Sequence, residues 1–339
     1  MEMNCKQKVS MPCTKTNLMN PEFRQEKNCP SDWNKNLTKS EMGNVFNTFE
    51  YSEYARHRLN WEPAFLSVID NTGRMVAQVV LFEYSRNKIK KISASLNRLA
   101  LKLSNTIKWI YGPIIFSQES DTITNDFLAY IQKKGKRLDG STHPLFKGTI
   151  TTEGIKTKKW STFIIDLQQP KSSILDSLDK KSVRKNIERA EERGVQIREI
   201  DEKSIDEYHQ ILNEFRLVSG NKPLQVEDTY ELWNLLQKAG FKGFLASKDG
   251  INIGGITFSF FNGYLNEWGI ARTEKDTNEK LYGQDLLKWK IIEWGIENKQ
   301  KFYDLSGFNP NPSTEKETGI LRYKKKWGGK QYDFWLVRK

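Results

Sequence analysis

Cysteine is scarce in this chain, and the few cysteines present fall at one end. Cys5, Cys13 and Cys29 all lie in the first 29 of 339 residues. A body without cysteine excludes a small secreted domain held together by disulfides. No histidine lies near the three thiols and their spacing matches no common zinc pattern, so we predict free thiols and no metal site.

Long apolar runs are missing as well. The longest, residues 75–82, is interrupted by Gln78, whereas a membrane-spanning helix needs about 18 apolar residues or more. The first ten residues, MEMNCKQKVS, contain no apolar region of the kind that a signal peptide has. We therefore predict a cytoplasmic protein without a transmembrane segment, for which contact with a membrane surface stays open.

The familiar catalytic motifs are absent too. The histidines His57, His143 and His209 are isolated from one another, and such histidines are more often structural than catalytic. No G-x-S-x-G, H-E-x-x-H or P-loop sequence occurs. An enzyme with this sequence is expected to work by positioning and electrostatics rather than through a covalent intermediate.

Positive charge is what the sequence has in excess. Lys and Arg number 54 against 42 Asp and Glu, which gives a formal net charge of +12. An excess of this size favours polyanionic partners such as nucleic acid, nucleotide diphosphates or acidic membrane surfaces. General lysine enrichment for solubility would produce the same net charge. The net charge alone therefore does not distinguish a protein that binds polyanions from one that is only enriched in lysine.

The order of predicted elements indicates two domains. Residues 1–32 are polar without apolar periodicity, which predicts a disordered tail. Helices, antiparallel strands, a helix and a strand then follow one another twice, which predicts an α+β fold with duplicated domains. We place the first domain at 33–167 and the second at 168–330, with residues 331–339 forming a last strand.

Hairpin signals support the strands of this prediction. Asp249-Gly250 and Asn262-Gly263 separate three apolar runs in the second half, and such dipeptides are the strongest short signal for a hairpin. In the first half, strands are predicted over 64–70 and 75–84, with another over 93–103.

Two predicted helices concentrate the basic side chains. The helix over 174–193, with a break near Asp179, places Lys181 and Arg184 away from its apolar stripe. The helix over 319–326 carries four cations in five positions, Arg322, Lys324, Lys325 and Lys326. On composition alone, either helix fits a solvated surface as well as a binding site.

Two glycine motifs each have two interpretations. Gly254-Gly255 inside a strand predicts a bulge or the close approach of a ligand. Residues 278–283, NEKLYG, precede a predicted helix. Acyl-CoA enzymes of the N-acetyltransferase type hold a pyrophosphate on main-chain N–H groups at this point, but one glycine fits an ordinary helix start equally.

Taken in order, several segments resemble the FemABX family of peptidyltransferases, which build the cross-bridges of bacterial peptidoglycan. The resemblance lies in FNTFEYSEYA from Phe46, Gly112-Pro113, WSTFIIDL from Trp160, K-x-x-R-x-x-I-x-x-A-x-x-x-G-V from Lys181, YDLSG from Tyr303 and G-I-x-x-Y-K-x-x-W-G from Gly319. The chain departs from the family at Glu50, where Gln is usual, and at Tyr54, where Trp is usual. It has no room for the coiled-coil arm of some members, and so resembles the compact, arm-less branch.

The resemblance implies a fold and a set of partners. The fold is two acetyltransferase-like (GNAT) domains with mixed, largely antiparallel sheets flanked by helices, and a last strand that returns to the first domain. The donor is aminoacyl-tRNA, used as a co-substrate with no bound cofactor. The acceptor is an amine on the stem peptide of UDP-MurNAc-peptide or of a lipid-linked muropeptide.

The resemblance also implies site residues. It places the family's lysine at Lys324, which could stabilise a developing oxyanion. Asp304 and Glu267, on adjoining predicted strands, are the candidates to orient the amine. The residues expected to bind substrate are Arg58, Lys181, Arg184, Lys222, Tyr264, Arg322 and Tyr323.

Three functions remain in competition at this point. The first is the aminoacyltransferase of peptidoglycan cross-bridges that the resemblance implies. The second is an N-acyltransferase that uses acetyl-CoA or another acyl-CoA on a sugar or peptide amine. The third is a module that binds RNA or a cell-wall precursor without catalysis.

Overall fold

The computed structural model describes residues 21–85, 105–135 and 137–339. The strands are β1 (Glu22–Glu26), β2 (Glu62–Ile69), β3 (Met75–Ser85), β4 (Asn105–Trp109), β5 (Ile114–Ile115), β6 (Arg137–Ser141), β7 (Lys156–Asp166), β8 (Gln196–Glu199), β9 (Phe241–Lys248), β10 (Ile251–Phe261), β11 (Tyr264–Arg272), β12 (Phe302–Asp304) and β13 (Lys330–Arg338). The helices are α1 (Trp33–Leu37), α2 (Phe49–Leu59), α3 (Ser120–Lys134), α4 (Lys171–Ser177), α5 (Lys185–Glu192), α6 (Ile205–Val218), α7 (Val226–Leu236), α8 (Glu274–Asn278), α9 (Gly283–Glu297) and α10 (Glu315–Lys325).

The described strands join one mixed sheet that runs through both halves of the chain. Its order is β1-β2-β3-β4-β6-β13-β7-β12-β11-β10-β9-β8, with β5 beside β3. Most pairs are antiparallel, and β11 with β12 and β4 with β6 are parallel. Strand β7, which the predicted boundary assigns to the first domain, pairs with β12 of the second, so the two halves share a sheet rather than forming separate ones.

Turn chemistry explains the meander β9–β10–β11. Asp249 and Asn262 have φ near +50°, and each is followed by a glycine with positive φ. Such left-handed pairs give the turn whose twist matches the two strands of a hairpin. The predicted bulge at Gly254 is present, because the β9–β10 register shifts between Asn252 and Gly254.

A shared apolar core fixes the two halves against each other. Trp33 and Phe65 from the first half and Trp233 and Phe241 from the second belong to the same buried cluster. A second cluster lies between the sheet and helices α4, α5 and α9, and it includes Tyr303 and Trp327. Tyr303 of β12 is thereby packed into the second cluster.

The structure corrects part of the predicted tail. Residues 22–26 pair with β2 along the whole of β1, so the prediction of disorder is wrong from residue 21 onward. Five residues without apolar periodicity can still form an edge strand, because main-chain hydrogen bonds to β2 do not depend on the side chains. Residues 1–20, with Cys5 and Cys13, and the strand predicted over 93–103 lie outside the described residues.

Two further absences hold within residues 21–85, 105–135 and 137–339. There, no helix is long and apolar enough to cross a membrane, and no group of three or more acidic, histidine or cysteine side chains could hold a metal ion. Cys29 is a free, half-buried thiol, and burial raises its pKa to about 12. A thiol in this state is a poor nucleophile at neutral pH.

Candidate active site

Helix α10 carries Lys324 to the end of β12. The helix begins at Glu315, four residues before the predicted start, because the Thr314 side chain accepts from the amide of Glu317 and caps it. Two and a half turns later, Nζ of Lys324 donates to the main-chain oxygens of Ser306 at 2.7 Å and Gly307 at 3.2 Å. An ammonium has three N–H donors, so one remains for another acceptor.

The turn after β12 is shaped to receive this lysine. Ser306 has φ of +66°, a conformation that side chains other than glycine adopt only when their surroundings hold them there. Its amide donates to Oδ1 of Asp304 at 2.9 Å and its hydroxyl to the main-chain oxygen of Glu267 at 2.8 Å. The hydroxyl oxygen of Thr162 lies 2.9 Å from the same Ser306 oxygen that Lys324 contacts.

Asp304 is the centre of a buried hydrogen-bond network. The residue is fully buried, and its carboxyl accepts from the Thr162 hydroxyl, the Tyr264 hydroxyl at 2.7 Å and the Asn266 amide at 3.1 Å, besides the Ser306 amide. Tyr111 of the first half approaches it at 3.4 Å. Burial raises the pKa of Asp304 above its ordinary value, and the hydrogen bonds from Thr162, Tyr264 and Ser306, with the charge of Lys324, offset part of that rise and favour the carboxylate.

The tyrosines around Asp304 are held as donors. Burial, and then the charge of Asp304, raise the pKa of Tyr111 and of Tyr264 well above the ordinary value. His143 packs against both rings, with centroids at 5.4 and 4.9 Å. Burial lowers the pKa of His143 to about 3, so this histidine is neutral at physiological pH, in agreement with a structural role.

Glu267 is paired with a lysine that the sequence prediction missed. Nζ of Lys288, on α9, lies 2.8 Å from Oε2 of Glu267, and the Tyr303 hydroxyl donates to the same oxygen at 2.8 Å. The signal for Lys288 was its position within the buried face of α9, among Asp285, Ile292 and Gly295. A lone lysine on such a face is rare unless it is paired.

The pKa of Lys324 is lower than that of an ordinary lysine. Burial is the main cause that lowers its pKa, and the positive charge of Lys288 adds to it, whereas Glu267 and Asp304 raise it; the result is a pKa of about 8. Lys324 is therefore mostly an ammonium at neutral pH and loses its proton slightly above it.

The structure places the other predicted residues in several environments. Lys181 and Arg184 lie on a π-helical turn, Lys180–Arg184, which Asp179 caps at the predicted break in the helix. The amide of Asp179 donates to the oxygen of Lys326, which brings this turn against the end of α10. Arg184 is bound to Asp176, whereas Lys181 is exposed.

The remaining substrate-binding candidates differ in their exposure and in whether acidic side chains already pair with them. Arg322 is exposed on α10. Tyr323 is 37% exposed and directs its hydroxyl to Asp285 at 3.4 Å. Arg58, on α2, is paired with Asp228 and Glu231 of α7, and these partners already neutralise it. Lys222 is exposed in the loop after α6.

A groove of about 390 Å³ opens beside β12. Its lining includes Ile164 and Asp166 of β7, Phe302 of β12, and Lys330 and Tyr332 of β13. The groove lies where β13 begins, because the β7–β13 ladder ends at the pair Ile164–Lys330. Phe302 is two residues from Asp304, so the Cα atoms of these residues are about 7 Å apart along the strand.

The start of α9 bears on whether a pyrophosphate can bind there. The amide of Gly283 donates to Oδ1 of Asp276 at 2.8 Å. Asp285, in the first turn, accepts from the Asn186 side chain at 2.8 Å. Two carboxylates thus occupy the end of the helix that favours negative charge, in place of an external anion.

Gly254 and Gly255 are explained by packing. A Cβ on Gly255 would lie 2.8 Å from the ring of Tyr208, and one on Gly254 would lie 2.7 Å from the Gln284 side chain. These glycines make room for neighbouring side chains of the same chain.

Comparison with solved structures shows the fold. The crystal structure of FemX superposes with a TM-score of 0.67 at 11% identity, covering 92% of this chain and 96% of that one. L-PGS from Bacillus licheniformis gives 0.54 at 14% identity, with 92% of each chain covered. A tandem GNAT protein from the clavulanic acid biosynthesis pathway gives 0.53 at 11% identity, covering 94% of this chain and 98% of that one.

These likenesses confirm the predicted fold class of two acetyltransferase-like domains, and they agree with the FemABX resemblance at the level of the fold. No protein-family model matches the sequence. A comparison with curated proteins finds no similar sequence.

Proposed function

We propose that this chain is an aminoacyltransferase that moves an amino acid from aminoacyl-tRNA to an amine on the stem peptide of a peptidoglycan precursor. The observation that carries the proposal is Lys324, an ammonium fixed by two main-chain oxygens at the end of β12 with one N–H donor left. Its position is the one that the FemABX resemblance gives to the family's lysine, in a fold shared with FemX.

The reaction needs positioning more than covalent help. The amine nitrogen attacks the ester carbonyl, the bond to the tRNA oxygen breaks, and the amine proton ends on that leaving oxygen. Negative charge develops on the carbonyl oxygen on the way. The free N–H of Lys324 is a donor suited to that oxygen, and one well-placed donor of this kind is worth about 2.7–4 kcal/mol.

Asp304 and Glu267 act as positioning residues in this proposal rather than as groups that touch the amine. The carboxyl oxygens of Asp304 accept hydrogen bonds from Thr162, Tyr264, Asn266 and Ser306. These bonds hold the turn whose main-chain oxygens bind Lys324. Glu267 contributes its main-chain oxygen to the same turn. The groove beside Phe302 supplies a cleft near Asp304 in which an extended peptide could lie.

Charge and the start of α9 favour a tRNA donor over an acyl-CoA. The exposed cations of the π-helical turn and of α10 lie side by side, a surface suited to a polyanion, with binding that weakens as salt rises. An acyl-CoA would place its pyrophosphate at a helix start that Asp276 and Asp285 already fill. The likeness to a tandem GNAT protein keeps acyl-CoA as the second candidate donor.

The experiment is mass spectrometry of the acceptor after incubation with the purified protein. UDP-MurNAc-peptide is mixed with a pool of charged tRNAs in one reaction and with acetyl-CoA in another. The proposal expects one added amino-acid residue in the first reaction only. A mass gain of one acetyl group in the second, with none in the first, would replace it with the acyl-CoA function.

A third result is distinguishable from both. If the precursor binds in calorimetry but no donor yields a product, the proposal is contradicted and the chain is a binding module. Lys324→Met serves as the background control, because any product that it forms at the wild-type rate does not come from the proposed site.

A further inference from the structure

Lys288 is a buried lysine that the transfer reaction, as described, leaves unused. Its side chain is 2% exposed and that of its partner Glu267 is 4% exposed. Burying two charges costs free energy that two apolar side chains of similar size would not cost. A pair of this kind next to a candidate site is therefore better explained by a role in the site than by stability.

The contacts of Lys288 lead to the segment that carries Lys324. Its Nζ lies 4.9 Å from the ring centroid of Tyr323 and 5.4 Å from that of Trp327. A cation over an aromatic face is attracted by the ring's quadrupole. Because the two rings flank Lys324 in the chain, Lys288 holds the end of α10 against β11 at the level of Lys324.

The charges around Lys324 come from three neighbouring elements and from its own helix. Glu267 lies on β11, Lys288 and Asp285 on α9, Asp304 and Tyr303 on β12, and Tyr323 on α10. Within this set, Glu267 attracts the Lys324 ammonium and Lys288 repels it. Removing Lys288 alone would leave Glu267 as a buried carboxylate with its attraction for Lys324 uncompensated.

We infer that Lys288 is a positioning residue for the proposed reaction: by neutralising Glu267, it leaves the Lys324 ammonium on the oxygens of Ser306 and Gly307, with its third N–H directed to the substrate. The effect of Lys288 on the charge of Lys324 is a property of the free protein. Only the expected effect of Lys288 on the reaction rate rests on the proposed function. Lys288 touches neither donor nor acceptor in this scheme.

Four variants test the inference, Lys288→Met, Lys288→Arg, Glu267→Gln and the double variant Glu267→Gln/Lys288→Met. The first measurement needs no substrate: the reactivity of Lys324 with acetic anhydride is followed against pH by peptide mass spectrometry of the folded protein. Lys288→Met should raise the Lys324 titration midpoint by about one pH unit, so that labelling at pH 8 slows roughly fivefold. The double variant, which removes both charges, should return the midpoint to that of the wild type.

The two conservative variants should each differ from Lys288→Met in the Lys324 titration midpoint. Lys288→Arg keeps the charge and its contact with the rings, and should titrate like the wild type. Glu267→Gln removes the attraction and should lower the midpoint. An unchanged midpoint in Lys288→Met would overturn the inference whatever the donor turns out to be.

The second measurement is kcat and KM for the acceptor. Lys288→Met should lower kcat about tenfold with little change in KM, and the double variant should recover most of the loss. If the single and double variants lose kcat alike, and their urea midpoints fall alike, Lys288 only supports the fold and the inference is wrong. If no donor gives product with the wild type, the proposed function fails while the labelling result still decides the charge relation.

Discussion

The Lys324 ammonium and the main-chain oxygen of Ser306 are 2.7 Å apart, and this contact links α10 to the end of β12. Ser306 can offer that oxygen because its backbone is left-handed and its amide is tied to Asp304. The lysine therefore depends on a turn that the Asp304 network holds.

Replacing Lys324 should abolish most of the transfer without unfolding the protein. In Lys324→Met the donor to the developing oxyanion is lost, and kcat should fall about 10²–10³-fold, the usual effect of removing one such donor. Lys316→Met, an exposed lysine in the first turn of the same helix, is the matched control and should keep the wild-type rate. Equal rates for Lys324→Met and the wild type would remove Lys324 from the mechanism.

The advantage given by Lys324 should depend on pH. Because the acceptor amine titrates alike for both proteins, the ratio of the wild-type rate to the Lys324→Met rate isolates the charge of Lys324. With a pKa of about 8, this ratio should be constant below about pH 7 and fall towards tenfold per pH unit above pH 8. A ratio that stays flat to pH 9.5 would show that the neutral amine serves equally well.

Tyr264→Phe should weaken the network around Asp304. The variant loses a 2.7 Å hydrogen bond to a buried carboxylate, which should lower the free energy of unfolding by about 1.5–3 kcal/mol. Urea denaturation measures the loss, with Tyr332→Phe on β13 as the control in the same sheet. A turnover number that drops further than stability explains would place Tyr264 in the positioning of Lys324, whereas unchanged stability would mean that the hydrogen bond contributes nothing net.

Two glycines near Lys324 should respond oppositely to alanine. A Cβ on Gly319 meets nothing within 4 Å, so Gly319→Ala should stabilise α10 by about 0.5–1 kcal/mol. Gly329 has φ of +78°, and its Cβ would lie 2.7 Å from the Ile164 oxygen, so Gly329→Ala should destabilise the start of β13. Thermal unfolding of both variants checks the signs, and stabilisation by Gly329→Ala would contradict the placement of that turn.

Local chemistry explains what the sequence could predict. The turns at Asp249-Gly250 and Asn262-Gly263 depend on their own residues, and so does the break that Asp179 makes before the Lys181 turn. Strand β1 could not be found in this way, because its support comes from distant parts of the chain: pairing with β2 and the stacking of Phe23 on Tyr130.

The site residues likewise divide into those that a local sequence motif indicates and those whose role depends on distant residues. Lys324 could be proposed from the sequence because its motif is continuous in the chain. Lys288 was missed because its meaning comes from Glu267, 21 positions away in sequence but 2.8 Å in space. The pairing of Arg58 with Asp228 and Glu231 is likewise visible only once α2 and α7 are packed together.

Strand β13 has a consequence for how the protein is made. It lies between β6 and β7 in the middle of the sheet, yet it follows every other described strand in the chain. During synthesis both neighbours must wait with open edges until β13 has left the ribosome, so the joint between the halves closes last. Lys324 leaves the ribosome just before that step. The candidate site is therefore completed together with the sheet, and in a nascent chain its residues are present but not yet in their final arrangement.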